Sequence, residues 1–413
     1  MPEGWAWCRL PEICVIPITD GTHQTPTYSD KENGVPFLSS KDVTSGKIDW
    51  SKIKYITKEL HQELQKRIAP QKNDILLAKN GTTGVAAIVE DETIFDIYVT
   101  LAVIRPNQKI VYPEFLLNII NSPFCKNQFN EHLTGIGVPN LHLVDINKTF
   151  IPLPPLNEQK QITDKIGSYT IHIDELEKNK SDLQTAIKQA KSKILDLAIH
   201  GKLVPQNPND ESAEELLKRI ATSDNRPYKK FDDKVPFEIP DSWAWCTGND
   251  LFNPMTSKKP EGETFRYIDI DAIDNQKHYV IEPKTLAVSE APSRASRELN
   301  NGDVLFSLVR PYLENIALIE EEYYDCIAST GFYVCKPRSF VFPKFLFYLM
   351  TSEYVIKGLN QFMKGDNSPS ISGDDIKNWL YPLPPINEQT RIVLKIEELF
   401  KYTDIITISI KDC

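Results

Sequence analysis

An α+β fold is expected: two globular bodies in tandem pseudo-repeat, separated by long helices that form an antiparallel coiled coil. Three observations predict it. The chain repeats itself once at an offset of about 230 residues. A proline-rich block opens an apolar heptad stripe in each copy. Each body mixes short strand-like and helix-like runs without strict βαβ alternation. The expected boundaries are 1–150 for the first body, 151–238 for the helical spacer and linker, 239–380 for the second body, and 381–413 for a short second spacer.

The repeat rests on named anchors. Ile151–Gln159 reads IPLPPLNEQ and returns as YPLPPINEQ at Tyr381–Gln389. Trp5-Ala6-Trp7-Cys8 returns as Trp243-Ala244-Trp245-Cys246. Asn73-Asp74-Ile75-Leu76 answers Gly302-Asp303-Val304-Leu305, Phe115-Leu116-Leu117 answers Phe345-Leu346-Phe347, and Asp145-Ile146 answers Asp375-Ile376. The junctions match while the bodies between them differ, which suggests a shared scaffold carrying two different reading heads.

In the first body, strands are expected at Asp74–Ala78, Val85–Val89 and Tyr98–Ile104, and helices at Lys58–Ile68 and Pro113–His132. The second body should hold strands at Thr264–Ile270, Val304–Val309 and Ile327–Lys336, then a helix from Pro343 to about Met363. The proline block forces extended backbone, a rigid hinge before each spacer helix. Asn157 and Asn387 fall where an N-cap is wanted, and Glu158 and Glu388 complement the helix dipole. Ile162, Ile166, Tyr169, Ile173, Leu176, Lys180, Leu183, Ile187, Ala190, Ile194 and Leu197 then alternate steps of four and three, the spacing of a coiled-coil seam. Ile392, Ile396, Leu399, Thr403, Ile406 and Ile410 start the same seam again. A helix from Asn157 to His200 would span roughly 66 Å. Paired with its copy, it would hold two bodies at a separation suited to half-sites about one DNA turn, ~34 Å, apart.

The 413 residues carry 47 Lys and Arg against 57 Asp and Glu, a net charge of -10, which excludes a protein that coats nucleic acid by bulk positive charge. Residues 1–150 hold 15 basic against 17 acidic residues, and 241–380 hold 14 against 20, so any nucleic-acid contact must be local. No run approaches the ~18 apolar residues of a membrane helix, and no signal peptide opens the sequence. Seven scattered cysteines without a C-x-x-C pair fit reduced thiols, and a cytoplasmic location is expected.

Motifs that invite an enzyme reading each fail. Gly135-Ile136-Gly137 lacks the third glycine of a dinucleotide fingerprint, and Asn80–Gly84 lacks the lysine of a phosphate-binding loop. Asn121-Ser122-Pro123-Phe124 resembles a methyltransferase segment but has no cofactor motif beside it, so a helix interruption is expected there. Asp269, Asp271 and Glu282-Pro283-Lys284 imitate a nuclease centre with proline in the would-be strand. The seven histidines show no metal-ligand spacing. The chain is expected to be non-catalytic, with no metal site.

Candidate DNA contacts lie in two corresponding pairs of loops. Lys79, Asn80, Thr82 and Thr83 end a strand with donors suited to bases or phosphates, and the matching position in the second body carries Arg310 and Tyr312. The second pair is Gly135–Asn140 and Gly365–Ser370, which offers Asn140, Asn367 and Ser368. Lys41, Lys47, Arg266, Arg294 and Arg297 are weaker candidates.

These residues carry a resemblance. The twice-used PLPP-x-NEQ block, the stretch Ala198-Ile199-His200-Gly201-Lys202-Leu203-Val204-Pro205 with Glu214-Glu215-Leu216-Leu217, and the Pro-x-x-Trp opening of each body resemble the specificity subunit of Type I restriction-modification enzymes. The resemblance implies two target-recognition domains, each binding half of a bipartite site in double-stranded DNA. It implies spacers that dock two modification subunits, with Pro154, Pro155, Asn157, Glu158 and Gln159, and Pro384, Pro385, Asn387, Glu388 and Gln389, as partner-binding positions. S-adenosylmethionine, Mg and ATP are then expected on partner subunits, with restriction subunits as a further class of partner, and no cofactor in this chain. A departure from the family pattern stands at the end: 27 residues run from Asn387 to Cys413, against 44 from Asn157 to His200, and the A-I-H-G-K-L-V stretch has no second copy. The second spacer is therefore expected to pack weakly. Two other readings compete: a coiled-coil scaffold with protein-binding bodies, and the recognition part of a single-chain restriction-methylation enzyme.

Overall fold

Each body begins and ends in one small ribbon, because the two anchors of the repeat pair with each other. In the computed structural model, which describes residues 1–43, 46–131, 133, 139–231 and 235–411, Ala6–Arg9 runs antiparallel to Phe150–Leu153. Ala244–Thr247 pairs with Leu380–Leu383 in the same register, Ala6 opposite Leu153 and Ala244 opposite Leu383. Even the cysteines match: the Cys8 thiol reaches the Ile151 carbonyl and the Cys246 thiol the Tyr381 carbonyl. The chain divides into two compact units, Met1–Glu177 and Lys178–Cys413.

The first unit holds two four-stranded sheets. One has the order Thr19–Asp20, Leu101–Ile104, Ile75–Ala78, Ala86–Ile88 and is antiparallel throughout. Ile75–Ala78 and Leu101–Ile104 are buried at every position, the mark of strands covered on both faces. One face packs on Phe115, Leu116, Ile120 and Phe129 of the following helices. The other packs on Leu38, Phe95 and Ile97 of the second sheet. That sheet has the order Tyr28–Ser29, Lys54–Ile56, Val35–Leu38, Asp96–Ile97, with its last pair parallel.

The second unit repeats the first sheet strand for strand: Phe252–Asn253, Phe332–Pro337, Val304–Ser307, Ile316–Leu318. Its other sheet reads Lys284–Ala287, Thr264–Ile268, Ile327–Ser329, Ala295–Glu298. Both second sheets share an antiparallel pair beside a parallel pair. The fourth strand lies on opposite edges, beside Lys54–Ile56 in one and beside Ile327–Ser329 in the other. The divergence of the bodies is concentrated in this layer.

Both long body helices break, the first at the interruption expected from Asn121-Ser122-Pro123 and the second where the helix from Pro343 was expected to run on to about Met363. Pro113–Asn121 stops at Ser122, whose hydroxyl then caps Pro123–Asn130. Pro343–Met350 likewise gives way to Glu353–Asn360, capped by Ser352. A serine hydroxyl that satisfies the first free amide restarts a helix at a new angle. The echo at Asp74 and Asp303 is also structural. The residue before each is left-handed, Asn73 at φ 70° and Gly302 at φ 88°. Each aspartate accepts an amide three residues back and pairs with a cation on the neighbouring strand, Arg105 at 2.7 Å and Lys336 at 3.5 Å.

The spacer helices run Leu156–Ile199 and Ile386–Lys411. Each starts one residue before its asparagine, so Asn157 and Asn387 lie in the first turn rather than at the cap. In the second unit the end of the first spacer runs antiparallel to the second. Lys191 Nζ meets Asp404 Oδ1 at 2.6 Å and sits over the Phe400 ring, while Gln206 and Asp210 meet Glu388 and Arg391. Leu195, Ala198 and Ile199 share a core with Ile392, Val393 and Ile396. Ile162 packs on the first body's core, yet Ile166, Tyr169, Ile173, Leu176 and Leu183 are 41–67% exposed. The expected coiled coil thus forms over the last turns of the first spacer and leaves the middle of its seam bare. No helix among the described residues is long and apolar enough to cross a membrane.

Candidate nucleic-acid interface

The two loops singled out in each body come together, and they do so in the same way twice. In the first unit the turn between Ile75–Ala78 and Ala86–Ile88 forms an antiparallel bridge from Asn80 to Asn140. The Leu141 amide donates to the Lys79 carbonyl at 2.8 Å, and the Thr83 hydroxyl donates to the Pro139 carbonyl at 3.2 Å. In the second unit Val309 bridges Ser370, the Arg310 amide donates to the Pro369 carbonyl at 2.8 Å, and Ile371 donates to Leu308. Gly135–Val138 of the first loop lie outside the described residues.

The loop tips differ chemically. The first turn takes its left-handed positions with Gly81 (φ 75°) and Gly84 (φ 84°), and Thr82 is exposed between them. In the second they fall on Arg310 (φ 48°) and Glu314 (φ 57°). A side chain held there costs about 1–2 kcal/mol, and such strain concentrates where a residue is used. The Arg310 guanidinium is exposed and donates to the Asn367 carbonyl at 3.0 Å, which aims it across the loop pair. Tyr312, at 46% exposure, and the exposed Asn367 and Ser368 share the same rim.

Lys79 requires a correction. It is 6% exposed, and its ammonium lies 2.5 Å from Asp20 Oδ2 and 3.3 Å from the Val99 carbonyl. A buried ammonium tied to a buried carboxylate is not offered to DNA, so Lys79 fixes the base of the loop. Burial alone would raise the Asp20 carboxyl, but Lys79 and His23 outweigh it and hold it below its ordinary value. Sequence reasoning missed Arg67 and His23, which converge on the same carboxylate at 2.7 and 3.2 Å. No local pattern marks them, since they lie far apart in the chain. Of the weaker candidates, Arg266 is paired to Asp325, while Lys41 and Arg294 are exposed.

The hinge residues need a second correction. Gln159 is fully buried: its amide oxygen accepts from the Tyr112 amide at 2.7 Å, and its nitrogen donates to the carbonyls of Ile110 (3.0 Å) and Pro154 (2.9 Å). Gln389 makes the same three bonds, to Phe342, Phe340 and Pro384. Pro154, Pro384, Pro385 and Glu388 are buried as well. Trp5 donates to Glu158, the reason for a tryptophan at the body's opening. Burial raises the Glu388 carboxyl above its ordinary value, against pulls from Gln206, Trp243 and Arg391. These residues bolt each spacer to its body. Pro155, Asn157 and Asn387 remain exposed, Asn387 with a bond to Asp210.

Known proteins share this arrangement. The profile of the Type I restriction modification DNA specificity domain matches residues 2–184 and 249–412. The chain is 26% identical over 482 residues to the Type I restriction enzyme EcoAI specificity subunit of Escherichia coli, covering 97% of this chain and 78% of that protein. It is 22% identical over 416 residues to the EcoKI specificity subunit of Escherichia coli strain K12, covering 98% and 84%. Among solved structures, the HsdS subunit from Thermoanaerobacter tengcongensis superposes with a TM-score of 0.59 at 20% identity, covering 99% of this chain and 92% of that one. A chain from a study of complex assembly in the type I R-M system gives 0.63 at 21% identity, covering 100% and 94%. The duplicated bodies, each closed by a ribbon and bolted to a spacer helix, are the frame of a specificity subunit, and the chain belongs to the Type I restriction modification DNA specificity domain family.

Proposed function

We propose that each unit reads one half of a bipartite target in double-stranded DNA through its pair of bridged loops. The same two loops, joined by equivalent bridges at Asn80–Asn140 and Val309–Ser370, carry this reading. Their different tips, glycine-backed in one unit and arginine-tipped in the other, fit two unlike half-sites. The chain is then non-catalytic, and modification subunits dock on the bare seam from Ile166 to Leu183. Those partners would bring S-adenosylmethionine, with Mg and ATP on restriction subunits. The relatives' names as specificity subunits support this division of labour.

A genome-wide adenine-methylation map of the host with and without the gene tests the reading. Loss of one split motif, two short half-sites around a fixed gap, is expected. An unchanged map, with the chain co-expressed with a modification subunit, would refute it. Arg310→Gly then separates recognition from folding. Glycine adopts φ 48° without strain, so stability should hold or rise by up to about 1 kcal/mol while one half-site loses definition.

A further inference from the structure

One cluster in the first unit has no counterpart among the described residues of the second. Asp20, 3% exposed, sits on the edge strand of the first sheet and is met by three basic side chains, Lys79, Arg67 and His23. Lys79 approaches from below, at the foot of the loop pair. Arg67 (2.7 Å, side chain 48% exposed) and His23 (3.2 Å, 62% exposed) approach from the solvent side. One carboxylate against Arg67 and Lys79 leaves a net charge of +1 before His23 is counted. The negative end is buried and the positive ends face water, so the charge is presented outward. At the position repeat-related to Lys79 the second unit has Leu308, so the buried ammonium of the cluster is gone.

We propose that Arg67, steadied by Asp20 and with His23 beside it, holds a backbone phosphate of duplex DNA next to the bases faced by the Asn80–Thr83 turn. The inference rests on the DNA-reading function proposed above. The geometry supports it in three ways. Arg67 directs one terminal nitrogen to Asp20, which leaves the rest of a five-donor fork for a phosphodiester's two free oxygens. Lys79 gives its carbonyl to Leu141 of the loop pair and its ammonium to Asp20, so a single residue fixes the distance between base-reading turn and phosphate holder. The surrounding body is acidic overall, 15 basic against 17 acidic residues over 1–150, so the outward Arg67 guanidinium with His23 beside it stands out as a local seat for an anion. Asp20 and Lys79 act as positioning residues.

The test uses the full chain with its modification subunit and a duplex bearing the split motif from the methylation map. Affinity is measured across a series of chloride concentrations. Arg67→Ala should weaken binding about tenfold and make the slope of log K against log salt shallower by about 0.9, one phosphate contact. The preference for target over scrambled duplex should stay unchanged. Arg67→Lys, which keeps the charge, should restore the slope but only part of the affinity. An unchanged slope in Arg67→Ala overturns the phosphate assignment, as does loss of sequence preference, which would make Arg67 a base reader or a structural residue. Inorganic phosphate, at ionic strength matched with chloride, should displace the duplex no better than chloride. Selective displacement would make this a free-anion site and overturn the proposal. Failure of the unmutated complex to prefer its target would instead overturn the DNA-reading function itself.

Discussion

Removing one buried glutamine should loosen a whole unit. Gln159→Ala leaves the Tyr112 amide and the carbonyls of Ile110 and Pro154 without their partner around a fully buried side chain. An orphaned buried polar group costs about 1–3 kcal/mol, with carbonyls at the low end because their second lone pair can adjust. The sum is about 3–5 kcal/mol, before any cavity is counted. For a unit of this size each kcal/mol shifts the midpoint by about 2–4 °C, so its transition should fall by about 10 °C. Gln389→Ala, with the same three bonds in the second unit, should do the same there. Calorimetry of the full chain reads both. Gln159→Glu should be about as damaging, since it replaces the two donated bonds by an oxygen facing carbonyls. Asn157→Ala, exposed two residues away, should stay within about 0.5 kcal/mol. A loss below about 1 kcal/mol for both glutamines, or an equal loss for Asn157→Ala, would refute the claim that this residue bolts helix to body.

Three further outcomes are expected. Trp245 is 5% exposed against Phe237 and Tyr354, whereas its repeat partner Trp7 is 51% exposed, so Trp245→Ala should cost about 3–5 kcal/mol and Trp7→Ala about 1, read by urea denaturation. Burial raises the Asp303 carboxyl to about 6, against pulls from the Asn300 amide and Lys336; a group that binds its proton more tightly when folded gives stability below its unfolded value that is lost as pH rises from about 4 to about 6. Asp303→Asn should flatten the midpoint over that window, and parallel curves for both proteins would contradict the assignment. Ile173→Ser with Leu176→Ser, on the bare seam, should leave the melting midpoint unchanged and abolish co-purification with the modification subunit.

The frame was legible because duplication printed it twice. Pairing of the Trp-Ala-Trp-Cys and proline anchors in one ribbon follows from their flanking each body, and the heptad stripe announced the spacers. What failed to show was burial. Glu388 reads as a surface carboxylate in a helix's first turn, where a dipole argument accounts for it, Gln159 reads as a polar partner-binding position, and nothing local says that a body closes over them. Lys79 reads as a loop cation because the buried carboxylate that neutralises it lies 59 residues earlier. The helix break at Ser122 was readable from the Ser-Pro pair, whereas at Ser352 a continuous apolar pattern argued against the capping signal.

The two units also show where a repeat is free to change. Asp74–Arg105 and Asp303–Lys336 keep one ion pair at the open end of both hairpins although the cation differs, because the buried carboxylate requires a positive partner and not a particular one. The left-handed positions at the turn end of each hairpin carry no such constraint. Glycine there costs the first turn nothing and presents bare backbone with Thr82. Arginine at φ 48° costs the second turn strain that the Pro369 and Asn367 carbonyls must hold. A strained cation at the tip of a loop whose twin dispenses with it is hard to account for by folding, and under the DNA-reading function proposed above Arg310 is the side chain expected to set the second unit's preference.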